Sequence, residues 1–383
     1  MSVGAALRPL VHAHATSVPE IAARLARAGL DAAAAPNALE RLPLLRKSTL
    51  AALQAEHPPY GGLLATGCVP TSAFLSSSGV VEPLVPRMVE RLAELLREAG
   101  FASGQIVLNG FGYHVTPAGM LFHEALASAG CTVLPGGPQN ASMLGDYARR
   151  LGATAFVGIA SHLRILLEQA PGLAIRLAMA GAEPHGDAIR AELSARHGVR
   201  CVDMYGFAEA GVIAATCAPA GALHLHADVV AEVLESEGDA AVGAGEPGEL
   251  VVSLDNPGFP LLRFATGDLV AIDPVRCACG RSGILRVLGR VDQSVRVKGM
   301  LLHASQLRRF ADAIGATACR LAVTRLDGRD RIGVTILPGD APIADAASLD
   351  AAFRDACRLR ADAIGADASL AAGSFTVDDR RQS

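Results

Sequence analysis

The chain has 383 residues, 51% of them apolar, with a formal net charge of −4 and eight cysteines. That is enough for two domains, or one large and one small, and the near-neutral balance leaves no nucleic-acid footprint. No apolar run reaches the roughly 18 residues of a membrane span, and Met1–Leu10 lacks a long apolar segment, so no membrane partner or secretory leader is expected and the cysteines should stay reduced in a cytoplasmic protein.

Residues 1–60 read as helical. Val18-Pro19-Glu20-Ile21 opens one helix with Pro in its first turn, and Leu42 to Leu50 leads into another. Phe74 to Pro83 carries Ser77, Ser78 and Gly79, the hydroxyl and glycine chemistry of an anion-binding loop. Pro86–Ala99 has Met88, Leu92, Leu95 and Leu96 on one helical face. From Gln105 to Tyr205, strands alternate with helices: strands are expected at 105–113, 131–135, 153–159 and 173–179, and helices at 120–130, 143–151, 161–168 and 188–197. That alternation argues for a parallel sheet covered on both faces. Gly181-Ala182-Glu183-Pro184 follows a strand, as a ligand loop should. Val202 to Glu209 reads as a buried strand ending in a tight turn, with Glu209 just past its end. Ligands of open α/β sheets bind there.

Leu261 to Phe264 reads as a strand running into a Thr-Gly turn before Asp268, and Gln293 to Gly299 as a strand into a glycine turn. Helix is expected at 305–314 and 347–364, alternating strands at 320–324 and 331–337, and a last strand at 374–377. Cys217 and His224 are separated by six residues, and Cys277-Ala278-Cys279-Gly280-Arg281 follows later. Three thiolates and one imidazole make a closed tetrahedral zinc set. His226 is the alternative imidazole, and buried free cysteines are the alternative reading.

Four segments in this order and at these distances resemble the adenylate-forming superfamily, with the phenylacetate–CoA ligase family as the similar branch. They are Gly181–Pro184, Val202–Glu209, Pro260–Leu269 and Leu288–Gly299, and the resemblance runs from about residue 40 to the C-terminus. It implies an α/β fold: a large nucleotide- and acyl-binding domain over 1–291, with parallel and mixed sheets, and a small mobile α+β domain over 292–383, hinged at Asp292. It assigns the phosphate loop to Ser77, Ser78 and Gly79 and the adenine edge to Gly181–Pro184. Tyr205 and Gly206 take adenine stacking, Asp268 the ribose hydroxyls, and Arg290 ribose and phosphate. Glu209 is implied as the Mg2+ ligand, Phe111 and Tyr113 as the acyl pocket, and Glu209 and Arg290 as the catalytic pair. Some family members look similar at the four zinc positions too. The segment around Arg46 and Lys47 matches the family's lead into the nucleotide domain, and its basic residues read as surface residues.

Activation of a carboxylic acid, an aryl acid by family, is therefore expected. ATP would give an acyl-adenylate, with transfer to CoA or another thiol. The cofactors implied are ATP or AMP, Mg2+, CoA and a structural Zn2+, and a homodimer is entertained as the assembly. Three departures favour the alternative, an impaired homologue that binds AMP or acyl-adenylate as an accessory protein. Val80-Val81 and Glu82 replace the usual Thr-Thr and Lys of the phosphate loop. Ala208 stands where a hydroxyl is usual. No lysine follows Lys298, although the family ends on one; Arg380 or Arg381 is the substitute charge.

Overall fold

A computed structural model describes residues 3–75, 79–181, 186–218, 221–236, 238–297, 300–326, 329–339 and 345–381. In chain order its elements are α1 (Val3–His14), α2 (Pro19–Arg27), α3 (Pro36–Leu39), β1 (Leu45–Arg46), α4 (Lys47–Glu56), β2 (Ser72–Leu75), β3 (Val81–Leu84) and α5 (Pro86–Glu98). Then come β4 (Ile106–Asn109), α6 (Ala118–Ser128), β5 (Thr132–Pro135), α7 (Ala141–Leu151), β6 (Ala155–Gly158), α8 (Ala160–Gln169), β7 (Leu177–Ala180), α9 (Gly186–His197) and β8 (Arg200–Val202). They are followed by β9 (Met204–Phe207), β10 (Gly211–Thr216), β11 (Leu223–Leu225), β12 (Val229–Leu234), β13 (Gly248–Leu254), β14 (Leu261–Arg276) and β15 (Ser282–Arg290). The last are β16 (Ser294–Val297), β17 (Met300–His303), α10 (Ala304–Ile314), β18 (Ala316–Leu326), β19 (Arg329–Pro338), α11 (Ala346–Cys357), β20 (Ala363–Ala366) and β21 (Phe375–Asp379).

The chain divides into two compact units. The first comprises Met1–Glu232, Val251–Thr266 and Asp273–Leu285; the second comprises Val233–Leu250, Gly267–Ile272 and Arg286–Ser383.

In the first unit, the alternation of strands and helices gives the expected all-parallel sheet, in the order β5-β4-β6-β7-β8. Its central strands β6 and β7 are buried along their whole length, as a sheet covered on both faces requires. Phe156, Leu163, Leu166, Ile175 and Leu193 fill the core beside it. The N-terminal helices bury Leu7, Val11, Ile21, Leu25 and Leu39 in a second core, together with Leu262. Arg24, itself buried, donates to the Leu262 carbonyl at 2.9 Å. The remaining large sheet runs β1-β14-β13-β12, with β15 also on β14.

In the second unit, β20-β19-β18-β21 form one sheet. Phe310 of α10 and Phe353 of α11 meet edge to face in its core.

Three expectations change. The strand entering Tyr205 is two strands: β8 closes the parallel sheet, while β9 pairs antiparallel with β10. Asp203 makes the break, since its N–H donates to the Thr216 hydroxyl at 3.0 Å and its carboxylate accepts from Met204 N–H at 2.9 Å. The Thr-Gly turn before Asp268 is instead part of β14, which continues through it. The helix expected over 347–364 stops at Cys357, because Arg358 turns left-handed (φ 54°) and 363–366 pairs with β19 instead. Among the described residues, no helix is long and apolar enough to cross a membrane.

Candidate nucleotide site and cysteine cluster

Within the first unit, β9 places Tyr205, 9% exposed, and the turn after it places Glu209, 2% exposed. The antiparallel pairing of β9 with β10 fixes that turn: Gly206 lies opposite Val212, where a Cβ would come 2.3 Å from the Gly211 carbonyl oxygen. Gly181 reaches the same strand, and a Cβ there would fall 2.8 Å from Met204 Cγ and 3.1 Å from its carbonyl oxygen. The loop assigned to the adenine edge and the strand bearing the stacking aromatic are therefore neighbours. Ala182, Glu183 and Pro184, like Ser77 and Ser78, lie outside the described residues. Gly79 is left-handed (φ 79°) and leads into β3. Glu82 is buried on that strand opposite Phe74, so it belongs to the β2–β3 pair rather than to an open loop.

At the expected acyl wall, Phe111 stacks on Phe122 with ring centroids 4.8 Å apart and is 9% exposed. The Tyr113 hydroxyl accepts from Asn109 Nδ2 at 2.7 Å and lies 3.1 Å from His123 Nδ1. Burial pushes that phenol up to about 12, against the pull of the Asn109 bond. His123, read from sequence as structural, holds the tyrosine in place.

Within the second unit, Arg290 Nη1 donates to Asp268 Oδ1 at 2.7 Å, and Asp292 lies 3.9 Å from Arg290 Nε. Gly267 makes this pairing possible: its φ is +74°, and a Cβ would stand 2.6 Å from Arg290 Nη2. The tail arginines are engaged locally, Arg380 with Asp378 and Arg381 with Asp379 and Asp330.

A residue read from sequence as surface proves to be at the site. Lys47 Nζ lies 2.9 Å from Glu209 Oε1, as a close ion pair rather than an aligned hydrogen bond. This contact bears on the Mg2+ expected at Glu209. Mg2+ requires oxygens at about 2.0–2.1 Å in near-octahedral array. Here the buried carboxylate oxygen already faces an ammonium, and Ala208 offers no side-chain oxygen. The donor set fits a cationic side chain and does not fit the ion. The available signal was compositional: only Lys47 and Lys298 among the 34 basic residues are lysines.

Cys217, His224, Cys277 and Cys279 present four ligand atoms within 4.8 Å of one another. The Cys217 and Cys277 sulfurs are 3.6 Å apart, and two sulfurs on a tetrahedral zinc at ~2.3 Å would stand about 3.8 Å apart. Cys279 Sγ is 3.5 Å from His224 Nε2, and His224 Nδ1 faces the Gly283 carbonyl at 3.1 Å. That backbone contact orients the ring with Nε2 toward the sulfurs, as outer partners of metal-bound histidines do. The backbone N–H of Arg281 helps lower the Cys279 thiol to about 7. The knuckle is closed by Cys277 N–H on the Arg281 carbonyl at 2.8 Å, across Gly280 (φ +87°). His226 is not part of the set: its Nε2 lies 2.8 Å from Glu94 and its Nδ1 2.7 Å from Asp228. The four groups fit a closed structural zinc.

Residues 112–257 match the family described as AMP-binding enzyme. The phenylacetate-coenzyme A ligase of Thermus thermophilus is 27% identical over 307 residues, covering 72% of this chain and 66% of that protein. The Escherichia coli phenylacetate-coenzyme A ligase is 25% identical over 229 residues, covering 56% of this chain and 52% of its own. The chain thus spans between about half and two thirds of these relatives' length. Among solved structures, an open conformation of 2-hydroxyisobutyryl-CoA ligase in complex with 2-HIB-AMP and CoA superposes with a TM-score of 0.81. The identity is 19%, over 98% of this chain and 90% of that one, so the likeness speaks to the fold. Over residues 112–257 the chain is similar to AMP-binding enzymes. Over a longer stretch it is similar to phenylacetate-coenzyme A ligases, at 25–27% identity.

Proposed function

We propose that this chain handles an acyl-adenylate: it activates a carboxylic acid with ATP and passes the acyl group to CoA or another thiol. In the first step a carboxylate oxygen attacks the α-phosphorus and pyrophosphate leaves. In the second, the thiol sulfur attacks the acyl carbon, the proton is lost to solvent, and AMP leaves. The observation that carries the reading is the β9 turn, with Tyr205 and buried Glu209 on one hairpin and Gly181 packed against its first residue. Tyr205 is assigned the purine face, Asp268 the two ribose hydroxyls and Arg290 the sugar and phosphate. A carboxylate suits two hydroxyl donors because it has two accepting oxygens. Phe111 and Tyr113 are assigned the acyl group, and their aromatic character supports an aryl acid. Cys217, His224, Cys277 and Cys279 are assigned a structural zinc, closed to substrate because all four positions are filled.

Ala208 and the altered Val80-Val81-Glu82 segment favour a second reading, an accessory protein that binds AMP or acyl-adenylate without forming it. Two measurements separate the readings: pyrophosphate release from ATP across a panel of aryl and alkyl acids, and AMP release from synthetic acyl-AMP with CoA. Release of either product with any acid supports the enzyme. Tight AMP binding with neither product supports the accessory protein, and no affinity for AMP or acyl-AMP refutes both.

A further inference from the structure

Lys47 stands where three pieces of the first unit meet. The residues before it, Leu45 and Arg46, pair in parallel with Phe264 and Ala265 of β14. Phe264 in turn stacks on Phe207, at 5.5 Å between centroids and 11° between planes, and Phe207 lies two residues before Glu209. At the far end of α4, the Gln54 side chain clasps the Val81 backbone, donating to its carbonyl at 2.8 Å and accepting from its N–H at 2.7 Å. Val81 opens β3, shortly after Gly79. One strand–helix segment, 45–56, is therefore braced by the strand that runs on to Asp268, by the start of β3 that follows the serine–glycine segment, and by the Glu209 turn.

Charge and composition point the same way. Glu209 is buried on the turn that follows Tyr205, and the cation facing its carboxylate is the Lys47 ammonium, 2.9 Å away. α4 begins at Lys47 with no acidic residue in its first turn and no side-chain N-cap, so the partial positive charge of its N-terminus adds to the ammonium. Elsewhere the chain uses arginine: of its 34 basic residues 32 are Arg. A compact ammonium fits beside a buried carboxylate and a phosphate as a point charge, which a planar guanidinium does less readily.

We propose that Lys47, held by Glu209, is the phosphate-binding cation of this site, standing where the Glu209 carboxylate would otherwise hold Mg2+. On this proposal the α-phosphate of AMP or acyl-AMP binds without a divalent ion. Lys47 makes and breaks no covalent bond, and its ammonium keeps its three protons. The proposal rests on the nucleotide reading above.

Calorimetric affinities for adenosine and AMP, each measured in EDTA and in excess MgCl2, test it. The readout is the ratio of the two affinities, which isolates the phosphate. In the wild-type chain the ratio should be the same with and without Mg2+. Lys47→Met should lower it by roughly tenfold or more, the scale of a lost charge-assisted contact, with adenosine affinity unchanged. Lys47→Arg should recover part of the ratio, a rescue that a purely structural role would not give. Unchanged adenosine binding also reports that the Met variant is folded. An unchanged ratio in Lys47→Met, or a wild-type ratio that rises with Mg2+, would overturn the proposal. If wild-type chain bound neither adenosine nor AMP, the nucleotide reading itself would fall, and this inference with it.

Discussion

Arg263 offers a sharp test of how the first unit holds its motifs in place. It is 3% exposed and takes a left-handed backbone (φ 47°), a conformation that costs a non-glycine residue free energy. Its side chain offsets that cost with four contacts. Nε and Nη2 donate to the two Glu232 oxygens at 3.0 and 2.9 Å, and Nη1 donates to the carbonyls of Leu42, at 2.7 Å, and Glu40. Arg263→Met keeps the stem but strips the guanidinium from a carboxylate whose side chain is 7% exposed. Removing one partner of a buried pair costs about 3–5 kcal/mol. With a urea slope of about 2 kcal/mol/M, the midpoint of the first unit's transition should fall by ~2 M, followed by far-UV circular dichroism because the chain has no Trp. Arg263→Met combined with Glu232→Met removes both charges and should recover at least half of the loss, since apolar replacement of a buried pair is often nearly neutral. A single variant costing under about 1 kcal/mol, or a double variant no more stable than the single, would refute the assignment of Arg263 as a buried charge clamp.

The cysteine cluster predicts one zinc per chain by mass spectrometry of purified protein. Cys279→Ser should lose most of that zinc, while His226→Gln should keep it; stoichiometric zinc in Cys279→Ser would remove that thiol from the set. In the second unit, burial drives His303 down to about 4 from an ordinary 6.5, with Arg309 and Arg286 adding to the shift. The unfolded chain then binds the extra proton between those values, so stability is full above 6.5 and falls as pH drops toward 4, by at most about 1.4 kcal/mol per pH unit. His303→Asn, which can still cap α10, should flatten that slope; an unchanged pH profile would show that the histidine is not the group responsible.

The parallel sheet was legible because its physics is local and periodic. Short apolar runs alternate with amphipathic helices, and burial on both faces follows. The cysteine cluster was legible because thiols one residue apart in a polar loop fit few other roles. What escaped depends on tertiary partners. The switch from β8 to β9 rests on Asp203 meeting Thr216, thirteen residues away and invisible to periodicity. The end of α11 is set by strand pairing of 363–366 with β19, which overrides the helical pattern of its alanines. Lys47 looked like an ordinary charge at a helix start. Its role depends on β1 lying on β14 and Phe264 on Phe207, contacts between segments far apart in the chain.

Two sequence departures and the Lys47 contact fit a single argument. Val80-Val81 and Ala208 remove hydroxyls that would otherwise contact a triphosphate. Gly181, Tyr205, Asp268 and Arg290, which the resemblance assigns to adenine and ribose, are all present. An ammonium carries a single positive charge and already shares it with Glu209. A triphosphate carries several negative charges, whereas the phosphodiester-like phosphate of an acyl-adenylate carries one. The charge available at this turn therefore matches acyl-adenylate better than ATP. On the proposed function, transfer of the acyl group from its adenylate to a thiol is the half-reaction that the single Lys47 charge suits better.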